Sequence, residues 1–251
     1  MIQAAPTQHF SFLPWAERSA SNRVYPLSIA EGLQSGTIFA DLREAPTSVL
    51  FWHYCGFAYL SGAVSDDLLD EIASDICRQD RRRMVLITDD DTVARWLRDH
   101  QYAVARRIEY EYGGSGGTSQ MPLGIRIERI DGSNLPRITG RIVPAFSWEE
   151  DRFLRSGFGY AAFEGDAFCG VAFSAAVSSS QVDIGVEVRA DHQGRGIATA
   201  LVHRMCREAL ALGKKPVWAH AERNLASMRT ALRCEFVPRK MNWYACLKQA
   251  E

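Results

Sequence analysis

The sequence lacks the features that mark several large classes of protein. None of its 251 residues belongs to a run approaching the ~20 apolar residues of a membrane span. Its six cysteines form no C-x-x-C pair, so neither a zinc site nor a redox dithiol is indicated, and we expect no metal. The segment Met1 to Ser21 shows no basic start followed by an apolar stretch, and so gives no sign of a signal peptide. These absences favour a cytoplasmic protein with reduced, partly buried thiols.

A strong excess of one charge is also missing. The formal net charge is -1, although acidic residues outnumber basic ones up to Tyr112 and the reverse holds after it. The one tight basic run, Arg81-Arg82-Arg83, is typical of a solvated helix end. This balance is far from the basic stripe of a nucleic-acid binder, and the mildly basic second half suits an anionic small molecule. We expect neither nucleic acid nor a membrane as partner, and the oligomeric state, a homodimer included, stays open.

Hydrophobic residues make up 47% of the chain, which is enough for a substantial core. The clearest boundary is Gly113 to Pro122, where four glycines crowd into five positions and indicate a flexible connector. The sequence therefore predicts an N-terminal lobe at 1–112, a glycine-rich linker at 113–122 and a C-terminal domain at 123–251.

Both lobes show alternating strand and helix patterns, which indicate an α/β (α+β) fold with a mixed sheet. The first lobe ends as strands, helix, strand, helix, strand. The second runs as strand, two helices, three strands, helix, strand, helix, strand. Its two early helices are expected over Asn134–Phe146 and Trp148–Arg155, with Ser147 as the cap of the second.

The segment that carries chemistry follows the predicted strand Gln181–Val188. The loop Gln193-Gly-Arg-Gly-Ile-Ala198 leads at once into a predicted helix over Ile197–Leu212. The first amides of a helix lack internal partners and its dipole favours negative charge there, so this turn suits a phosphate or pyrophosphate. A dinucleotide fingerprint would need a third glycine at Thr199, and the G-K-[ST] of a P-loop is absent. A tight turn that binds no ligand is the structural alternative.

These residues resemble the GNAT acetyltransferase superfamily, whose core pattern Q/R-x-x-G-x-G/A is met by Gln193, Gly196 and Ala198. The preceding Val186-Glu187-Val188 is similar to the family's V-x-V strand. Asn224-Leu-Ala-Ser227 and the close at Phe236 resemble its last helix and strand. The first lobe adds looser similarities to the group that includes zwittermicin-resistance acetyltransferases. They are carried by Tyr25-Pro26-Leu27-Ser28, Glu31-Gly32, Gly36 to Asp41 and Gly157 to Tyr160.

The resemblance implies a C-terminal GNAT fold, preceded by a smaller, degenerate GNAT-like lobe that shapes the acceptor cleft. It implies acetyl-CoA as cofactor and a small-molecule amine, which an antibiotic or other toxic amine would fit, as acceptor. The implied cofactor-binding residues are Val186, Glu187, Val188, Gln193, Gly194, Arg195, Gly196, Ile197, Ala198, Thr199, Asn224 and Ser227. For Asn224, capping of its own helix is an alternative compatible with that role.

Three positions depart from the family pattern. Ala190 stands where proline is frequent, and Glu235 replaces the glycine before Phe236. Ala231 occupies the helix position where many GNAT enzymes place a tyrosine general acid. The last departure suggests a different function, that of a non-catalytic acyl-CoA sensor. Within enzymes, acetylation of a protein or peptide amine is the alternative.

Two acids on the strand before the loop are the candidate proton acceptors. Alternation places Asp183 and Glu187 on one face of that strand, where one of them would take the proton of the attacking ammonium. The structural alternative is that one pairs with an arginine. With Ala231 unable to donate, Tyr244 or solvent would protonate the leaving thiolate. Trp218 and His220 share a strand face, and we interpret them as a packed pair.

Overall fold

A computed structural model describes residues 1–19, 21–117 and 122–249. The chain forms two compact units, one from Met1–Glu109 with Lys240–Glu251 and the other from Tyr110–Arg239. Residues 118–121 of the predicted linker lie outside the described residues. Its described part packs within the second unit, where Gly113 N–H donates to the Glu235 carbonyl (2.9 Å) and Gly116 N–H to Tyr112 Oη (3.0 Å).

The strands and helices follow one another along the chain in an alternating order. They are β1 Ile2–Gln3, α1 Leu13–Arg18, α2 Val24–Ala30, β2 Gly36–Ala40, β3 Ser48–His53, β4 Phe57–Gly62, α3 Asp66–Ser74, β5 Met84–Thr88, α4 Asp91–Asp99, β6 Ala105–Tyr112, β7 Ile125–Arg129, α5 Glu150–Ser156, β8 Gly159–Glu164, β9 Ala167–Val177, β10 Gln181–Val188, α6 Ile197–Ala211, β11 Lys215–Ala221, α7 Leu225–Arg233 and β12 Phe236–Lys248.

In the first unit the strands lie in the order β1-β2-β3-β4-β5-β12. The neighbours are antiparallel except for β4 and β5, which pair in parallel from Phe57↔Val85 to Tyr59↔Ile87. Alternate residues of these strands point to opposite faces, so the sheet supports two cores. Leu50 and Trp52 pack with the residues of α3 and α4, while Val49 and Phe51 pack with α1 and α2.

The second unit has the strand order β11-β10-β9-β8-β7 and again contains one parallel pair, β10 with β11. The helix α6 buries Leu201 and Met205 completely. It ends as predicted at Gly213, whose φ of +70° suits glycine. The mixed α/β fold predicted from the sequence is therefore confirmed.

The predicted helix over Asn134–Phe146 is wrong. Only two short 3-10 turns form there, Leu135–Arg137 and Pro144–Phe146. The prolines explain the difference, since each removes an N–H and disfavours helical backbone at the residue before it. Ser147 is not a cap either, because α5 begins after Glu149, whose side chain makes no capping bond.

The six cysteines are free thiols, five of them buried. In the described part of the chain, every helix is too short or too polar to span a bilayer.

Candidate cofactor and acceptor site

The parallel strands β10 and β11 separate part-way along their length. Their pairing covers Gln181–Asp183 against Lys215–Val217, whereas β10 continues to Val188 and β11 to Ala221. On its other side β10 stays paired with β9 as far as Val188. Within the described residues, the stretch of β10 after Asp183 thus has an edge that β11 does not occupy.

The backbone of β10 presents donors along this open edge. Arg189, the residue after β10, donates its N–H to the Cys169 carbonyl of β9 at 2.9 Å. Because the N–H and C=O of one residue face the same edge of a strand and successive residues face opposite edges, the N–H groups of Val186 and Val188 face away from β9. The Val188 carbonyl does so too, and Gln193 Nε2 donates to it at 3.2 Å. The predicted contacts at Val186 and Val188 are therefore backbone groups directed to the open edge.

The glycine-rich loop leads directly into α6. Gly194 and Gly196 have φ values of +78° and +82°, and no atom lies within 4 Å of a Cβ built on either of them. Gly196 is the N-cap of α6 and offers no side chain to the amides of Ile197, Ala198 and Thr199. Those amides have no acceptor within the helix, and the positive end of the helix dipole adds to them. The structure thus combines bare donors with open space, which suits an anion.

Arg195, the predicted charged donor of the loop, is already paired. Its guanidinium donates to both carboxylate oxygens of Glu164, at 2.6 and 3.2 Å. This contact lowers the pKa of Glu164 below its usual value. His192 Nε2 lies 3.3 Å from the same carboxylate. Sequence reasoning missed Glu164 as a partner of the loop.

The helix α7 begins with Asn224 as its cap. Asn224 Oδ1 accepts the Ser227 N–H at 3.1 Å, which confirms the capping interpretation and leaves a cofactor contact as a prediction. The Ser227 hydroxyl accepts a hydrogen bond from Trp218 Nε1 at 3.0 Å. Further along α7, Ala231 is fully buried.

The two candidate proton acceptors have different surroundings. Asp183 is buried and is the last residue of β10 that pairs with β11. Glu187 is half-buried, and its Oε2 accepts the backbone N–H of Arg141 (3.0 Å) and that of Ile142. Asp183 therefore lies where β10 and β11 separate, whereas Glu187 binds the loop that contains Arg141 and Ile142.

Tyr244, the predicted acid, belongs to the first unit, whereas the other predicted site residues belong to the second. It is half-buried on β12, opposite Ile87 of β5.

His220 is a packed residue, as interpreted from the sequence, and its ring stacks on that of Tyr110. The rings stack at 5.1 Å between centroids, and Nε2 lies 3.0 Å from Tyr110 Oη. Burial raises the pKa of Tyr110. Trp218 packs instead on Phe236, 5.5 Å away between ring centroids.

Comparisons with known proteins agree with this fold. The model of the GNAT acetyltransferase family matches residues 19–240. The comparison with curated proteins found no match. A GCN5-related N-acetyltransferase-like protein from Streptococcus suis is 20% identical, with a TM-score of 0.72 over 96% of this chain and 100% of that one. A tandem GNAT protein of the clavulanic acid biosynthesis pathway is 11% identical, with a TM-score of 0.64 over 100% and 99%. A GCN5-related N-acetyltransferase from Sphaerobacter thermophilus is 12% identical, with a TM-score of 0.59 over 100% and 96%. These structures share the fold, and because the family match covers most of the chain, this protein is an acyltransferase that belongs to the GNAT acetyltransferase family.

Proposed function

We propose that this enzyme moves the acetyl group of acetyl-CoA to a primary amine of a small molecule, by direct attack in a ternary complex. The observation that carries the proposal is the open edge of β10, followed at once by the bare N-terminus of α6. An extended ligand with amides along one part and phosphates at the end would satisfy both.

The residues fit acetyl-CoA, the cofactor of the family. The amides from Gly194 to Thr199 would hold the pyrophosphate, because the first turn of α6 has no side-chain cap and the two glycines border open space. The backbone of Val186 and Val188 would bind the pantetheine arm as an added strand does. Asn224 and Ser227 would approach from α7. When bound, the cofactor supplies an activated thioester.

The chain's own groups would then manage charge and protons. Val188 N–H, on the open edge, would donate to the developing oxyanion. Asp183, at the point where the strands separate, would draw the proton from the ammonium of the acceptor, directly or through water. Solvent would return a proton to the leaving thiolate. Glu187 is the second choice for the base, because its carboxylate already accepts two backbone amides.

The test is release of free thiol from acetyl-CoA against a panel of antibiotics, polyamines, amino acids and peptides. We expect turnover with small primary amines and calorimetric binding of acetyl-CoA without them. Turnover confined to peptides would favour a protein or peptide acetyltransferase. Binding without thiol release from any amine would favour the sensor, for which the buried Ala231 is the supporting observation.

A further inference from the structure

A cavity of about 180 Å³ lies in the second unit beside α5. It is lined mainly by apolar side chains, and one carboxylate, that of the exposed Glu150, joins them. Four of its lining residues are buried hydrophobics, namely Ile138, Val143, Trp148 and Phe153. Nothing in the proposed cofactor site uses this cavity.

The floor of the cavity is fixed to the sheet. Trp148 Nε1 donates to the Ser174 carbonyl of β9 at 2.6 Å. The Phe153 ring meets that of Phe173, also on β9, edge-on at 6.5 Å between centroids. Since β9 is the strand next to β10, the floor of the cavity lies one strand away from the strand with the open edge.

One wall of the cavity is tied directly to β10 by Glu187. Its carboxylate accepts the amides of Arg141 and Ile142, and the next residue, Val143, lines the cavity. The contact is close, because a Cβ added to Gly140 would lie 2.8 Å from Glu187 Oε1 and 3.2 Å from Val143 Cγ1. Glu187 stands between Val186 and Val188, whose backbone groups face the open edge. One wall of the cavity is therefore held by a residue of the strand that carries the open edge.

We infer that this cavity receives the apolar group of the acceptor amine, and that Glu187 is a positioning residue that holds the cavity wall. The inference rests on the proposed function. An apolar cavity of about 150 Å³ is large enough for benzene, so this one suits a single aromatic ring or a branched alkyl group. The substrate class is thus a primary amine with one compact apolar substituent.

The test compares phenethylamine with ethylamine in acetyl transfer. Ala145→Phe adds a ring at an exposed position that lines the cavity, and Leu154→Phe is the matched control at an exposed position of α5 outside the lining. We expect Ala145→Phe to raise KM for phenethylamine on the order of tenfold, the scale of discrimination in an apolar pocket. The KM values for ethylamine and acetyl-CoA should stay unchanged, as should all constants of Leu154→Phe.

Glu187 is tested by a pair of variants. Glu187→Gln keeps an oxygen that accepts the loop amides, whereas Glu187→Ala removes it. We expect Glu187→Ala to raise KM for phenethylamine about tenfold, and Glu187→Gln to restore it. A fall in kcat in both variants, with a changed pH profile, would instead show Glu187 to be the base and overturn its positioning role.

Direct binding separates this inference from the proposed function. Calorimetry of phenethylamine with the wild-type chain, alone and with CoA, measures the cavity without chemistry. If Ala145→Phe weakens the binding of phenethylamine and Leu154→Phe preserves it, the cavity assignment is supported. A lack of thiol release in the same chain would contradict only the acetyl-transfer proposal. Equal affinity for phenethylamine in wild type and Ala145→Phe, or no preference over ethylamine, overturns the cavity assignment whatever the turnover.

Discussion

Each unit contains a parallel strand pair joined through a helix, and the two helices begin in opposite ways. In β4–α3–β5 the helix start is closed: Ser65 Oγ accepts the Leu68 N–H at 3.2 Å, and Asp66 and Asp67 fill the first turn. In β10–α6–β11 the helix start is bare, with Gly196 as its N-cap. In both, the parallel pairing extends over three residues of each strand.

The difference indicates that connectivity alone does not make an anion site. A carboxylate in the first turn already complements the helix dipole and repels a phosphate, whereas bare amides at a glycine leave the dipole available. The first lobe is interpreted as a degenerate GNAT-like half that does not bind CoA. That interpretation stays a prediction. The variants below test what each helix start and each strand pair contributes.

The largest effect on activity is expected from a change at the residue where a parallel strand pair separates. The last paired residue of β10 is Asp183, and that of β4 is the uncharged Tyr59. Loss of a general base typically costs roughly 10²–10⁴-fold, so Asp183→Asn should lower kcat by about that factor and remove the acidic limb of the pH–rate profile. Steady-state kinetics across pH, with unfolding measured separately, checks this. If folded Asp183→Asn and Glu187→Gln both keep wild-type kcat and limbs, water is the better acceptor.

The next effect concerns the bare helix start. Gly196→Asp should weaken acetyl-CoA binding on the order of a hundredfold, because it places a negative charge where the pyrophosphate would lie. Gly196→Asn is the matched control, since asparagine has the same shape, no charge and a tolerance for positive φ. Gly213→Asp controls for the backbone, with a φ of +70° and open space at the other end of α6. Unchanged affinity in a folded Gly196→Asp chain, by calorimetry, would contradict the assignment of the loop.

A pH effect is expected in the first unit. Burial, and secondarily the charge of Arg82, lower the pKa of His53 from 6.5 to about 3. Between these two pH values the unfolded chain is protonated at His53 and the folded chain is not. The free energy of unfolding therefore falls as pH drops from about 6.5 towards 3, by up to about 1.4 kcal/mol per pH unit. His53→Phe, which keeps an aromatic edge against Tyr25, should lessen that slope. Denaturant unfolding at several pH values would show it, and parallel slopes for both proteins would refute the assignment to His53.

The smallest effect is expected at the closed helix start. Ser65→Ala removes the cap of α3 and should lower the free energy of unfolding by about 1 kcal/mol, while Ser65→Asn retains a capping oxygen and loses less. Neither variant should change acetyl-CoA affinity, if the first unit holds no CoA. Urea unfolding measures the free energy of unfolding, and calorimetry measures the affinity for acetyl-CoA. An affinity that falls in Ser65→Ala and recovers in Ser65→Asn would contradict the comparison.

Sequence reasoning succeeded where local rules decide structure. The alternating apolar pattern predicted β10 at Gln181–Val188. The glycines at 194 and 196 predicted the start of α6, and both border open space. It failed over Asn134–Phe146, where Pro136 and Pro144 outweigh the apolar spacing. It also failed to foresee the amides held by Glu187, because contacts between a strand and a loop distant in the chain leave no periodic signal. The partner of Arg195 was missed for the same reason.

The ion pair between Arg195 and Glu164 has a consequence for the end of a catalytic cycle. An anion that takes the guanidinium must displace a carboxylate, so part of the attraction is offset and the ligand is held less tightly than an unpaired arginine would hold it. When that anion departs, Glu164 receives the guanidinium again, and the cation is never left without a counter-charge. Product release limits the turnover of many enzymes. If Arg195 contacts the pyrophosphate as proposed, this exchange would shorten the residence time of the product CoA.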